Sequence, residues 1–317
     1  VNKYTLELEN DQLLNIIPLV KFLKDHEGKD ISLSVNQESH CLEHCRVYEL
    51  LDLFNFKSVV IYTQNSIEQH KKYIIVSRAR FYWLRKAKLE ADLTKNYVWD
   101  QTKVFGCFYG RPSAVRLGIA GYLTKNYLEK SLIKIKFDTT HEDLRKQFEM
   151  TKIFSWDVNS LNNIDLLLST IQLSTDYAYN LQSGEYDYTH TLSNDYRSIF
   201  VDIISEPNNI GNSFYPSEKF ARAVLCKKPF IVMAPKHYLK YLKQMGFKTF
   251  NNWWSESYDD LEVKDRYFAI LQLIDQIALL TINQLEELNS EMSSVTEHNY
   301  QLLISGNYSE IIKPINE

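Results

Sequence analysis

The run SFYPSEKFARAV sets a carboxylate and an ammonium side by side, at Glu218 and Lys219, where a long polar loop gives way to an apolar helical pattern. At a helix N-terminus such a pair divides the work of holding a sugar nucleotide. The carboxylate accepts hydrogen bonds from ribose hydroxyls. The ammonium, together with the positive end of the helix dipole, neutralises a diphosphate. Ser217 stands at the N-cap position, and the plainer reading is a helix that starts with Ser-Glu in its first turn.

A second anion site is offered by FGCFYGRPSAVR. A strand that turns at Gly110 and enters a helix at Pro112 points unpaired backbone N–H groups at the turn. Arg111 and Arg116 add guanidinium groups suited to bidentate contact with phosphate. No Gly-Lys-Ser/Thr element follows, so this is not a Walker loop. The competing reading is an ordinary strand-to-helix turn with surface arginines. In IYTQNSIEQH, Thr63, Asn65, Glu68 and His70 come directly after an apolar β-branched run. Catalytic groups of open α/β sheets gather at such strand ends, which makes Glu68 the first candidate for a general base and His70 the second. The alternative is that Ser66 and Glu68 begin a solvated helix.

Two other clusters carry weaker chemistry. GFKTFNNWWSESYDD places Trp253, Trp254, Glu256, Tyr258 and Asp259 together, as a sugar-binding surface or as a loop that caps the core with two indoles. HCLEHC forms two i,i+4 pairs, His40/His44 and Cys41/Cys45, on one expected helix. One helix rarely completes a tetrahedral metal shell, and no matching pair lies elsewhere, so no structural metal is expected there.

These residues need elements to position them. Apolar periodicity in DQLLNIIPLVKFLKDH predicts a first helix with Asp11 as N-cap, and LEHCRVYELLDLF predicts a second. DISLSVN, KSVVIYT and YIIVSRARFYWL supply strands between and after them. The polar stretch over 86–102 marks a division, with the strand Val104–Phe108 and a helix from Pro112 to Tyr122 opening the second half. YRSIFVDIISEP, SEKFARAVLC, KKPFIVMAP and KHYLKYLKQMGF then alternate strand and helix, the rhythm of parallel βαβ units. Residues 264–292 read as one long or two broken helices.

Composition sets the outer limits. The chain has 317 residues, 44% hydrophobic and 24% charged, a globular balance long enough for two domains. A net charge of −4 supplies no general phosphate-neutralising surface, so no nucleic-acid partner is expected. The 21 tyrosines suit wet, sugar-stacking clefts, and equally an AT-rich codon bias. Four scattered cysteines point to a reducing compartment. With no leader and no long apolar run visible, the expectation is a cytoplasmic protein without a transmembrane segment, for which peripheral membrane contact stays open.

The region from Ser193 to Asp260 resembles the donor-binding region of fucosyltransferase-like and exostosin-like glycosyltransferases. The parts that match are YRSIFVDIISEP, SFYPSEKFARAVLCKKPFIV and YLKYLKQMGFKTFNNWWSESYD. The family element is Thr-Glu-Lys, and Ser217 here replaces the threonine while keeping a capping hydroxyl. The resemblance covers about a fifth of the chain strongly. It implies an α/β, GT-B-like fold of two Rossmann-like domains facing a cleft, with residues 1–102 on the acceptor side and 103–317 on the donor side. It further implies that Glu218 and Lys219 contact the donor nucleotide, with Arg111, Arg116 and Ser217 close by. The expected activity is metal-independent transfer of a sugar from a nucleoside-diphosphate sugar to a glycan or other hydroxyl acceptor, with no cofactor besides the donor. The alternatives are a non-catalytic glycan-recognition or assembly protein on the same fold and, third, a metal hydrolase centred on HCLEHC.

Overall fold

The computed structural model describes residues 1–9, 12–35, 40–78, 81–90, 98–109, 113–135, 158–170 and 193–315. Two separate four-stranded sheets organise the α/β chain, and every pairing within them is parallel. The first contains β1 (Asn2–Leu6), β4 (Asp30–Val35), β5 (Ser58–Thr63) and β6 (Ile74–Ser77) in that spatial order. A short antiparallel hairpin, β2 (Leu8–Glu9) with β3 (Gln12–Leu13), follows β1. The second sheet runs β10 (Phe230–Met233), β9 (Val201–Ser205), β7 (Phe105–Tyr109), β8 (Ser131–Ile135).

The strand sequences explain how each sheet is covered. SVVIYT in β5 alternates buried and half-buried positions, so one face packs fully and the other is covered in part. FGCFY, VDIIS and FIVM are buried at every position, as strands must be when helices cover both faces. The helices are α1 (Ile16–Asp25), α2 (Val47–Leu51), α3 (Tyr82–Glu90), α4 (Ala114–Tyr127), α5 (Val158–Thr170), α6 (Ser193–Ser198), α7 (Glu218–Leu225), α8 (Tyr238–Met245), α9 (Val263–Ala278) and α10 (Ile282–Ser305). α9 and α10 meet at a bend of 114°, and no single helix among the described residues is long and apolar enough to cross a membrane. α3 precedes residue 102 in the chain, yet Leu84 and Ala87 enter the core of the second sheet, against α7 and α10.

Several expectations are corrected by backbone geometry. The first helix begins at Ile16, because Asn15 adopts a left-handed φ of 49° and Gln12–Leu13 pairs instead with Leu8–Glu9. Asp11 lies outside the described residues. HCLEHC is a turn rather than part of a continuous helix: the Cys45 N–H donates to the Cys41 carbonyl at 3.0 Å, but Arg46 has φ 59° and α2 starts only at Val47. Gly246 ends α8 at φ 99°, a conformation that glycine adopts without strain. Gly121 lets α4 and α5 meet closely, since a Cβ there would lie 2.9 Å from the Asn163 carbonyl. Gly121→Val is therefore expected to lose about 1–3 kcal/mol through overpacking, read as a lower urea midpoint. An unchanged midpoint would mean that the two helices are not in contact at this position.

Candidate functional site

The strand order of the second sheet locates a crevice. From β7 the chain crosses through α4 to β8 on one side, and later returns to β9 on the other. Crossovers diverge at that point and leave a gap beyond the carboxyl ends of β7 and β9, where open α/β sheets bind ligands. The first sheet steps one way only, β1-β4-β5-β6, and has no such point among the described strands.

What stands at the end of β9 is unusually polar for a buried place. The guanidinium of Arg116, on α4, donates from Nε (3.2 Å) and Nη2 (2.9 Å) to the carbonyl of Ser205, the last residue of β9. Glu206 follows, only 2% exposed. Its Oε1 accepts from the Ser217 backbone N–H at 3.2 Å and from the Tyr238 hydroxyl at 2.6 Å. Ser217 caps α7, its Oγ accepting from the Lys219 N–H at 3.2 Å, because its extended backbone turns the hydroxyl back over the first turn. Lys219 Nζ and Glu218 Oε1 then form a buried ion pair at 2.5 Å. Three expected donor residues, Ser217, Glu218 and Lys219, thus share one helix start, and Arg116 reaches the same strand end from the other side. Arg111 lies outside the described residues.

Three further residues hold this region in place. Arg222 Nη2 donates to the Phe108 carbonyl at 3.4 Å, tying α7 to β7. Arg266, on α9, donates to the carbonyls of Tyr258, Asn209, Ala234 and Leu261, which pins the 206–216 loop to the end of β10. Asp259 accepts from the Leu239 and Lys240 N–H groups at 2.9 and 3.2 Å, and Trp254 is buried. In the WWSESYDD segment these residues therefore cap α8 and fill the core.

Burial and charge shift these groups in opposite directions. Burial pushes the Glu218 carboxyl up, but the Lys219 charge and hydrogen bond, with Arg222 behind them, outweigh it and hold Glu218 down at about 2. Burial dominates at Glu206, which is raised despite Lys219, Ser217 and Tyr238. Asp202, inside β9, is pushed up to about 6 by burial, opposed by Arg222 and by the Tyr196 hydroxyl at 2.6 Å. Asp259 is likewise raised by burial to about 6. Groups raised from the ordinary aspartate value of 3.8 stabilise the fold fully below about pH 4, and that contribution is lost as the pH rises through about 6. The melting temperature is therefore expected to be higher at pH 5 than at pH 7, and Asp202→Asn is expected to shrink the difference. A variant with the parent's full pH dependence would rule out a titrating Asp202.

The N-terminal half meets the same loop. The carboxyl ends of β4 and β5 lead to residues 40–46 and 64–72. Asn65, fully buried, donates from Nδ2 to the Asn212 carbonyl (3.0 Å) and to Glu68 Oε2 (2.9 Å), while its Oδ1 accepts from the Phe214 N–H (3.1 Å). Ser66 Oγ donates to the Phe214 carbonyl at 2.9 Å, and Cys41 packs against Gly211. Glu68 accepts in addition from Tyr48 Oη at 2.7 Å and from the Leu42 N–H at 3.2 Å. Burial raises its pKa against those three hydrogen bonds, a useful bias for a base. Through Asn65, Glu68 stands one residue from the 206–216 loop. His70 is placed differently, stacked on Tyr48 and Tyr73 with centroids at 4.2 and 4.8 Å. Among the described residues no group of three or more His, Cys, Asp or Glu side chains is placed to hold a metal ion.

Glu206, Tyr238, Arg222 and Arg266 were not singled out by motif. One signal for Glu206 was available: it directly follows the buried strand VDIIS, the position where a parallel strand delivers a side chain to the crevice.

No protein-family model matches the chain, and no curated protein matches its sequence. A solved glycosyltransferase from Rickettsia africae ESF-5 is similar over 92% of this chain and 78% of its own, with 12% identity and a TM-score of 0.35. Similarity at that level assigns neither a fold nor an activity.

Proposed function

We propose that the protein moves a sugar from a nucleoside-diphosphate sugar to a hydroxyl of a glycan or other acceptor, without a metal ion. The observation that carries this reading is the start of α7. A buried Glu218–Lys219 pair opens a helix capped by Ser217 beside the topological switch point of a parallel sheet, with Arg116 at the adjoining strand end. That is a place for a diphosphate between fixed positive groups, and the Ser-Glu-Lys resemblance in sequence points the same way. The division of labour follows two proposed domains, 1–102 and 103–317. The acceptor oxygen attacks the anomeric carbon, the bond from that carbon to the diphosphate oxygen breaks, and the electron pair leaves with the diphosphate. Lys219, Arg116 and Arg111 offset the charge that develops there. Glu68, whose burial favours proton uptake, takes the acceptor proton, with His70 as the second candidate.

A thermal-shift screen with GDP-, UDP- and dTDP-linked sugars tests the binding, with a CMP-linked sugar as the partner that lacks a diphosphate. A ligand of the folded state raises the melting temperature by mass action. The expected result is a shift for at least one diphosphate donor, followed by release of free nucleoside diphosphate on turnover. Binding without any release would identify a recognition protein instead, and no shift for any donor would remove the reading.

A further inference from the structure

A carboxylate base must keep a lone pair open towards the hydroxyl it deprotonates, and an ionised carboxylate has about four to distribute. At Glu68 three of them are taken by described residues. Oε2 accepts from the Leu42 N–H at 3.2 Å and from Asn65 Nδ2 at 2.9 Å, which fills that oxygen. Oε1 accepts from the Tyr48 hydroxyl alone, at 2.7 Å, so the remaining lone pair lies on Oε1. His70 has no such opening. Its Nδ1 lies 3.2 Å from the Lys72 backbone nitrogen, whose N–H can only donate. Nδ1 is then the accepting nitrogen and Nε2 carries the hydrogen of the neutral ring, which leaves no lone pair to take a proton.

Tyr48 is built to hold its hydroxyl still. It lies in the first turn of α2, is 6% exposed, and belongs to the core of the first sheet. The His70 ring stacks on it at 4.2 Å, and Tyr73 lies nearly parallel at 6.0 Å. A ring fixed in this way gives its one hydrogen bond a fixed direction. The titratable groups around the Glu68 carboxyl are Tyr48 itself, with Cys41 and Glu43 from the turn after β4. Burial and the Glu68 charge both raise the Cys41 thiol, which keeps it neutral. Glu43 is exposed and pushes Glu68 up, whereas the Tyr48 hydrogen bond pulls it down.

We infer that Tyr48 is a positioning residue: its hydroxyl aims the Glu68 carboxylate so that the open lone pair of Oε1 takes the proton of the acceptor hydroxyl. Tyr48 acts through Glu68, and His70 serves as the stack that steadies the Tyr48 ring. The inference rests on the glycosyltransferase reading and decides between the two candidate bases within it.

The test takes water as the acceptor hydroxyl and follows nucleoside diphosphate release from GDP-fucose, UDP-glucose and dTDP-glucose against pH, in the full chain. Four proteins are compared: the parent, Tyr48→Phe, Tyr73→Phe and Glu68→Gln. Tyr48→Phe keeps the stacked ring and removes only the hydroxyl. Tyr73→Phe removes a phenol from the same stack whose partner is Asp52, at 2.6 Å, and not Glu68. In the parent, kcat/KM is expected to fall on the acid side as Glu68 takes up a proton. In Tyr48→Phe the ionised form loses a hydrogen bond, so that limb is expected about 1–2 pH units higher. On the plateau kcat is expected to drop by up to about a hundredfold, the cost of a base displaced by about 1 Å, with the donor KM unchanged. Tyr73→Phe is expected to keep the parent's limb, and Glu68→Gln to lose the limb with about 10²–10⁴-fold of the rate. The position of a limb does not depend on the fraction of protein folded. A Tyr48→Phe variant with the parent's limb and plateau overturns the inference, as does a Tyr73→Phe variant that moves the limb equally. A Glu68→Gln variant as fast as the parent removes the base itself, and no release from any donor overturns the glycosyltransferase reading.

Discussion

Lys219→Ala is expected to destabilise the protein by about 3–5 kcal/mol, because it strands the Glu218 carboxylate in a buried site. The side chains of the pair are only 6% and 12% exposed, so solvent does little to screen the loss. Removing both charges together, as Glu218→Gln with Lys219→Met, is expected to restore most of that stability, since a neutral pair leaves no uncompensated charge. The same double variant is expected to bind nucleoside diphosphate about ten- to a hundredfold more weakly than the parent. Urea titrations and calorimetry on the three proteins thus separate folding from binding. A loss below about 1 kcal/mol in Lys219→Ala would show the pair to behave as a screened surface bridge. A double variant that binds like the parent would take Lys219 out of the donor site. The pair also has an acid limit. Glu218 is held at about 2 against an ordinary value of 4.5, so its contribution is present above about 4.5 and is lost as the pH falls towards 2.

The second large effect is expected at Asn65. Its side chain bridges Glu68 to Asn212 and Phe214, partners up to 149 residues away along the chain. Asn65→Ala leaves the Phe214 N–H and the Asn212 carbonyl buried without that partner, with an expected loss of about 2–4 kcal/mol, as each buried group left unsatisfied typically costs about 1–3 kcal/mol. Asn65→Asp is expected to be worse, since it sets a second carboxylate against Glu68 and offers the Asn212 carbonyl no donor. Both variants loosen the 206–216 loop that carries Glu206, so nucleotide affinity is expected to fall alongside stability. Hydrogen exchange at Phe214 is the local readout. Unchanged protection there in Asn65→Ala would show that the loop does not depend on this contact.

Much of this architecture is legible in short stretches of sequence, and the reason is local. FGCFY, VDIIS and FIVM read as strands because each is a short, largely apolar run of strand length. The α7 start reads correctly because Ser217, Glu218 and Lys219 are placed by capping chemistry within a single turn. Where local signals compete, the reading fails. HCLEHC fits a helical period, yet the left-handed backbone at Arg46 delays the helix to Val47. The apolar period places the start of the first helix just after Asp11, before its observed start at Ile16, because a left-handed Asn15 leaves no mark in that period. The contacts that assemble the candidate site are not local at all. Tyr238 fixes Glu206 from 32 residues away, and Asn65 reaches the loop from the other half of the chain. Glu68 illustrates the difference: its place after a strand is visible in sequence, while its hydrogen bonds to Tyr48, Leu42 and Asn65 are visible only in the fold.

The central claim is that a nucleoside diphosphate binds beyond the carboxyl ends of β7 and β9. A crystal structure of the full chain, grown with the nucleoside diphosphate of the donor that gives the largest thermal shift, tests it directly. The account predicts the diphosphate at the N-terminus of α7, with Lys219 Nζ and the Arg116 guanidinium nearest to its oxygens. A nucleotide bound in any other place, with the α7 N-terminus empty, would contradict it.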